Sequence, residues 1–195
     1  MPTRPPARDR LLTAADAVLF ERGVRTTPVD ELLRQADVSP ATMYAHFGSK
    51  EALVAEALRR RLSRWQQVWD AHVLAADDDV SRLLALFDAL AAYREERTAR
   101  WCAFLATAAE HLEEGEVADV VTADTALLSE RLLHLARPVA GARAQELADE
   151  VLLAYTGTLA SFLRGTPDSA ITVGRRLAES AARAHLVDPA STTGS

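Results

Sequence analysis

Two short helical patterns lie only three residues apart between positions 27 and 47. In the first, Val29, Leu32, Leu33 and Ala36 recur at i, i+3, i+4 and i+7, the repeat of one helix face. Thr27 is placed to cap it, with Pro28 at its first position and Asp30 in its first turn. The second opens at Ser39, again a favoured cap, and spans about Pro40–Phe47 before Gly48 stops it. The intervening Asp37-Val38-Ser39 is too short for two helices to lie side by side, so they must cross steeply, as in a helix-turn-helix. Asp37 takes left-handed backbone more readily than most residues, and Val38 is placed to plug the corner.

The rest of the chain reads as helix as well. Alanine (38) and leucine (27) make up a third of the 195 residues, against a single isoleucine. Such side chains lose little rotamer freedom in a helix, which excludes a sandwich, a barrel or a doubly wound sheet. A first helix is expected from Arg8 to Arg22, closed by Gly23. A long fourth helix, capped by Ser49, is expected from Lys50 to about Val73, with Leu58, Leu62, Trp65, Trp69 and His72 along one stripe. Five more follow, over 80–97, 99–113, 117–137, 143–164 and 167–186, separated by Gly115, by Pro138 with Gly141, and by Gly165 with Pro167. The expected fold is therefore all-α with about nine helices: an N-terminal three-helix helix-turn-helix domain (1–52, with its N-terminal arm), a C-terminal helical bundle for ligand binding and dimerisation (53–187), and a polar tail (188–195).

Several function classes fall away. One cysteine, Cys102, leaves no internal disulfide and no cysteine-based zinc cluster. No apolar run reaches the roughly 18 residues of a membrane helix, and Met1–Arg10 lacks the apolar core of a secretory signal, so a cytoplasmic protein without a membrane partner is expected. No His-Glu-x-x-His, phosphate loop, dinucleotide loop or Ser/His/Asp set is present, so neither an enzyme nor a cofactor is expected. Glu110, His111, Glu113 and Glu114 make an acidic patch with one histidine, but a di-iron bundle draws Glu-x-x-His from two helices, and here only a single, reversed His-x-x-Glu occurs. The net charge of −6 conceals an asymmetry: residues 1–72 hold 11 basic against 9 acidic side chains, and residues 73–195 hold 11 against 19.

The third helix carries most of the functional information. On a wheel of 100° per residue, Met43 and Phe47 form the buried edge, while Ala41, Thr42 and Ala45 point away and Tyr44 and His46 flank. A surface helix ordinarily shows long charged side chains. A face this small suits a helix that another large surface approaches closely, as a recognition helix does in the major groove. Lys50, the only lysine beside 21 arginines, stands at the first position of the fourth helix, where a cation opposes the helix dipole. It is either a solvated lysine or one placed for a phosphate partner.

The run from Thr27 to Leu53 resembles the DNA-binding domain of TetR-type (tetracycline-repressor family) transcriptional regulators. The core of the resemblance is Val38-Ser39, Thr42, Tyr44, Phe47 and Ser49-Lys50-Glu51 with Leu53, and Phe20 with Gly23 upstream also fits. It covers residues 8–55; beyond them only chain length and helicity agree. The family has Gly where this chain has Asp37. The resemblance implies phosphate contacts at Thr27, Ser39, Tyr44 and Lys50, and a base-facing set of Ala41, Thr42 and Ala45. His46 suits a rim contact or packing, and Arg4, Arg8 and Arg25 suit backbone or minor-groove contact or plain solvation.

In the body, aromatic side chains recur at helical spacing. Trp65, Trp69, Phe87, Trp101, Phe104 and Tyr155, with the polar His111 and Thr158, either fill the core or line a pocket for an apolar or amphipathic effector, which the resemblance implies. The segment 147–163 is apolar around most of its circumference and carries Gly157, Ala160 and Ser161. Its outer face calls for a second copy, so 143–164 and 167–186 are expected to form a two-fold four-helix interface, the alternative being a central helix of a monomer. The functional expectation is a homodimeric repressor that binds a pseudo-palindromic double-stranded operator and is released by a small-molecule effector. A helical protein-binding adaptor and an all-α enzyme are the rivals.

Overall fold

The computed structural model describes residues 4–95, 102–110, 114–165 and 169–186, apart from the side chains of residues 20–22. Among them nine α-helices follow one another with no strand: α1 (Ala7–Arg22), α2 (Val29–Ala36), α3 (Pro40–Phe47), α4 (Lys50–Ala75), α5 (Asp79–Glu95), α6 (Ala103–Ala108), α7 (Glu116–Ala140), α8 (Ala144–Leu163) and α9 (Ala170–His185). A single 3-10 turn, Gly141–Arg143, joins α7 to α8. No helix among the described residues is long and apolar enough to cross a membrane.

Several helix boundaries depart from the sequence expectation. Of the helix expected over 99–113, the described residues keep only Ala103–Ala108, with Cys102 extended before it and Ala109 and Glu110 in a turn. Thr27 does not cap α2: the helix starts one residue later, with Pro28 as its cap residue and no side-chain cap bond. The Thr27 hydroxyl instead donates backwards to the Gly23 carbonyl at 2.8 Å. Pro138 does not end α7 either, because the helix continues to Ala140. The proline's fixed φ is itself helical, and its missing N–H costs one bond in a last turn where carbonyls are already running out of partners.

The described residues pack as two compact units. The first holds the chain up to Arg64 together with 102–110 and 114–124; the second holds Trp65–Glu95 and the residues from Thr125 onward. In the first, Leu11, Leu12, Leu19, Leu32, Met43, Leu53 and Leu58 are the central side chains, with Phe104, Val117 and Val120 joined to the same core. Packing therefore groups α1–α3 with most of α4, with α6 and with the start of α7. Asp16 of α1 ties into α4 by accepting from Arg61 Nε (2.8 Å) and Arg60 Nη2 (2.9 Å). Burial alone would raise the Asp16 pKa, but Arg61 and Arg60 outweigh it and hold the carboxyl below its ordinary value.

In the second unit α8 packs on α9, and α5 packs on α9 as well. The approach is close because Gly174 faces Thr158, and the Thr158 hydroxyl is turned onto the Ala154 carbonyl of its own helix at 2.9 Å.

A candidate nucleic-acid interface

The turn between α2 and α3 is set by local chemistry. Asp37 is left-handed (φ 50°, ψ 56°), the one described non-glycine residue with positive φ. It stands where the glycine of the resembled family would be, and its backbone N–H and that of Val38 close the end of α2. Unlike glycine it brings a carboxylate, which pairs with Arg4 of the N-terminal arm. Arg10 also reaches this corner, donating to the carbonyls of Ala36 (2.9 Å) and Asp37 (2.8 Å).

Ser39 then caps α3 as expected, accepting from Thr42 N at 3.2 Å, and its hydroxyl lies 2.8 Å from the Thr42 hydroxyl. Met43 is fully buried (0% exposed) and anchors the helix, while Tyr44 is 51% exposed. Ala41, Ala45 and His46 are exposed with it, and Thr42 is half-buried. The His46 ring meets the Phe47 ring edge-on at 6.3 Å while staying exposed. Thus Ser39, Ala41, Thr42, Tyr44, Ala45 and His46 come together on one open face two turns long that carries no Arg, Lys, Asp or Glu. It is backed by a rigid core and flanked by hydroxyls, a surface that can enter a groove without long side chains in the way.

Thr27 and Lys50 lie elsewhere in the head. Thr27 is buried (2% exposed) with its hydroxyl engaged, so it serves the loop between α1 and α2 rather than a surface phosphate. The Lys50 ammonium donates to the carbonyls of Val24 (2.6 Å) and Thr27 (2.7 Å). Burial lowers its pKa and the nearby Glu110 carboxylate works against that shift. Two of its three N–H groups hold the loop, which accounts for a lysine against the helix dipole without a phosphate. Arg8 bridges to Glu56 (2.6 Å) and lies over the Phe47 ring, and Arg25 donates to the Glu110 carbonyl at 3.1 Å. Nothing local in the sequence marks Glu110 as part of the head; its contacts cross 85 and 86 positions.

The residues expected to line a pocket separate into groups. Trp65, Trp69, Phe87 and Tyr155 do assemble in the second unit, together with Tyr93: Trp65 lies 5.8 Å from Trp69, 5.6 Å from Tyr93 and 6.2 Å from Tyr155, and Phe87 lies 6.1 Å from Tyr155. The Arg131 guanidinium sits over Trp69, 4.3 Å from its ring centre, and pairs with Asp70 at 2.6 Å. Trp69 is fully buried, and its indole N–H meets no acceptor among the described residues. Phe104 is in the other unit, in the core beneath the head. Thr158 belongs to the contact of α8 with α9. Trp101 and His111 lie outside the described residues.

Along the seam of α8 with α9 runs an open groove of about 560 Å³ lined by Leu153, Gly157, Thr158, Val173, Leu177 and Ala181 among others. Leu153 is 74% exposed and Leu177 58%.

The comparisons with known proteins bear on this arrangement. Residues 11–57 match the family model described as bacterial regulatory proteins, tetR family. Over the whole chain the fold matches a TetR-family transcriptional regulator from Streptomyces coelicolor with a TM-score of 0.85 at 20% identity, covering 92% of this chain and 95% of that one. Residues 11–57 thus match the TetR-family model, and the fold is the one that TetR-family structure has. Two curated relatives match part of the chain. The HTH-type transcriptional repressor KstR2 of Mycolicibacterium smegmatis is 32% identical over 94 residues, 46% of each chain. The HTH-type transcriptional regulator BetI of Rhizobium meliloti is 32% identical over 107 residues, 53% of each chain. The chain thus spans about half the length of these two relatives.

Proposed function

We propose that this TetR-type chain is a homodimeric transcriptional repressor that binds a pseudo-palindromic operator and is released from it by a small-molecule effector. The observation that carries the reading is the outer face of α3. A helix with Met43 fully buried presents Ala41, Thr42, Ala45, Tyr44 and His46 outward, and the same helix lies within the matched family segment. In this reading the Ser39 and Tyr44 hydroxyls meet phosphates, and Ala41, Thr42 and Ala45 meet base edges and thymine methyls.

Two heads are needed to read a pseudo-palindrome in successive major grooves, and the pairing surface in this reading is the exposed apolar groove of α8 and α9. The effector is placed at the aromatic group around Trp65 and Trp69. A buried indole N–H with no acceptor costs about 1–3 kcal/mol, and a ligand carrying an acceptor removes that penalty on binding. Ligand and DNA then oppose each other through a coupling free energy that is reciprocal.

The test is selection of duplexes by the full-length chain, followed by titration at several salt concentrations. Affinity should fall steeply as salt rises. Tyr44→Ala should weaken selected and random duplexes alike by about 1 kcal/mol, while Thr42→Ala should change base preference at one position of each half-site. A chain that enriches no duplex at low salt refutes the reading.

A further inference from the structure

The segment between α1 and α2 has no regular structure, yet its backbone groups are taken by two charged side chains from distant parts of the chain. Glu110, just beyond α6, accepts from Val24 N at 2.8 Å and Arg25 N at 2.9 Å, one bond to each carboxylate oxygen. Its own carbonyl accepts from the Arg25 guanidinium at 3.1 Å. From the other side Lys50 donates to the carbonyls of Val24 and Thr27. Glu110 and Lys50 also attract one another. The fit leaves no slack at Gly23, whose φ is +96°: a Cβ there would stand 2.9 Å from a Glu110 carboxylate oxygen. Charge-assisted bonds to backbone N–H groups are about twice as strong as neutral ones, so Glu110 holds the segment leading into α2 firmly to the end of α6.

We propose that Glu110 is a positioning residue for DNA recognition: through Val24 and Arg25 it fixes the helix-turn-helix onto α6, with Lys50 closing the clamp, and so sets how two heads are presented to one duplex. Glu110 touches no base or phosphate in this scheme. Its contribution arises only when both heads must fit a duplex of fixed half-site spacing. The proposal rests on the dimeric DNA-binding reading above.

The experiment compares full-length wild type, Glu110→Ala and Glu110→Gln on two probes: a duplex selected by the wild type, and the same duplex with one half-site scrambled. Glu110→Ala is expected to lose at least ten-fold in affinity for the intact palindrome and less than two-fold for the single half-site, with an unchanged salt slope. Glu110→Gln keeps one acceptor and is expected to fall between. Amide hydrogen exchange at Val24 and Arg25 should accelerate in the order wild type, Gln, Ala. Equal losses on both probes would mean that Glu110 merely holds the head folded, and no loss on either would mean that the clamp does not position it; each overturns the proposal. If the wild type itself binds neither probe better than random duplex, the repressor reading fails and takes this inference with it.

Discussion

Leu153→Ser combined with Leu177→Ser should convert the proposed dimer to a monomer at micromolar concentration. Leu153 is 74% exposed in the single chain and Leu177 58%. Fully burying a leucine is worth about 2 kcal/mol, so covering these exposed fractions yields roughly 1.5 and 1.2 kcal/mol. Two-fold symmetry counts each position twice, and removing all four side chains should therefore weaken association by about 5 kcal/mol, or three to four orders of magnitude in the dimer Kd. Folding of the single chain should be spared, because neither side chain contributes to the buried core. Sedimentation equilibrium between nanomolar and high micromolar concentration reads the shift directly. Operator affinity measured at the same concentrations should fall in parallel, since a single head retains only one half-site. A wild-type chain that is monomeric throughout, or a double variant that dimerises as tightly as wild type, refutes the assignment of this face.

Other perturbations test the fold and its charges. Asp16→Ala should destabilise the folded chain by about 3 kcal/mol at pH 7, the low end for breaking a buried pair because Arg61 keeps the Asp16 carbonyl at 3.1 Å. Because Arg61 and Arg60 hold the Asp16 pKa below 3.8 against the effect of burial, its contribution is complete above pH 3.8 and lost as pH falls through the lower folded value. Urea denaturation should thus show wild type and variant converging in acid. Asp124 shows the opposite sign: burial raises its carboxyl from 3.8 to about 7, so wild-type stability declines as pH rises across that interval. Asp124→Asn should leave the melting temperature unchanged near pH 3.5 and raise stability at pH 8 by about 1–3 kcal/mol, allowing for partial exposure. Burial pushes the Cys102 thiol up to about 11, so at pH 8 only about one molecule in a thousand carries the thiolate. Labelling by a disulfide reagent should be correspondingly slow in the native protein and rapid in urea, and a native rate equal to the denatured one would contradict that burial.

Much of the head was legible in the chain because the information is local. The caps at Ser39 and Ser49, the left-handed Asp37 and the Met43 anchor each follow from a residue's own backbone preferences or from neighbours within one turn. The small face of α3 follows from the same periodicity. Tertiary structure decided what spacing cannot express. A hydroxyl before Pro28 can cap forward or bond backward, and only the bend at Gly23 sent Thr27 to the latter. Lys50 had the look of a phosphate ligand until two carbonyls of a loop more than twenty residues away came within its reach. Glu110 is one carboxylate in an acidic run, and its meaning comes from the backbone N–H groups folded against it. Aromatic residues at helical spacing state only that something is buried; which helix they meet separates Phe104 from the Trp65 and Trp69 group. Hydrogen-bond and rotamer preferences act over a few bonds and are written in sequence order. Desolvation and charge pairing depend on distances in space, which only the folded chain sets.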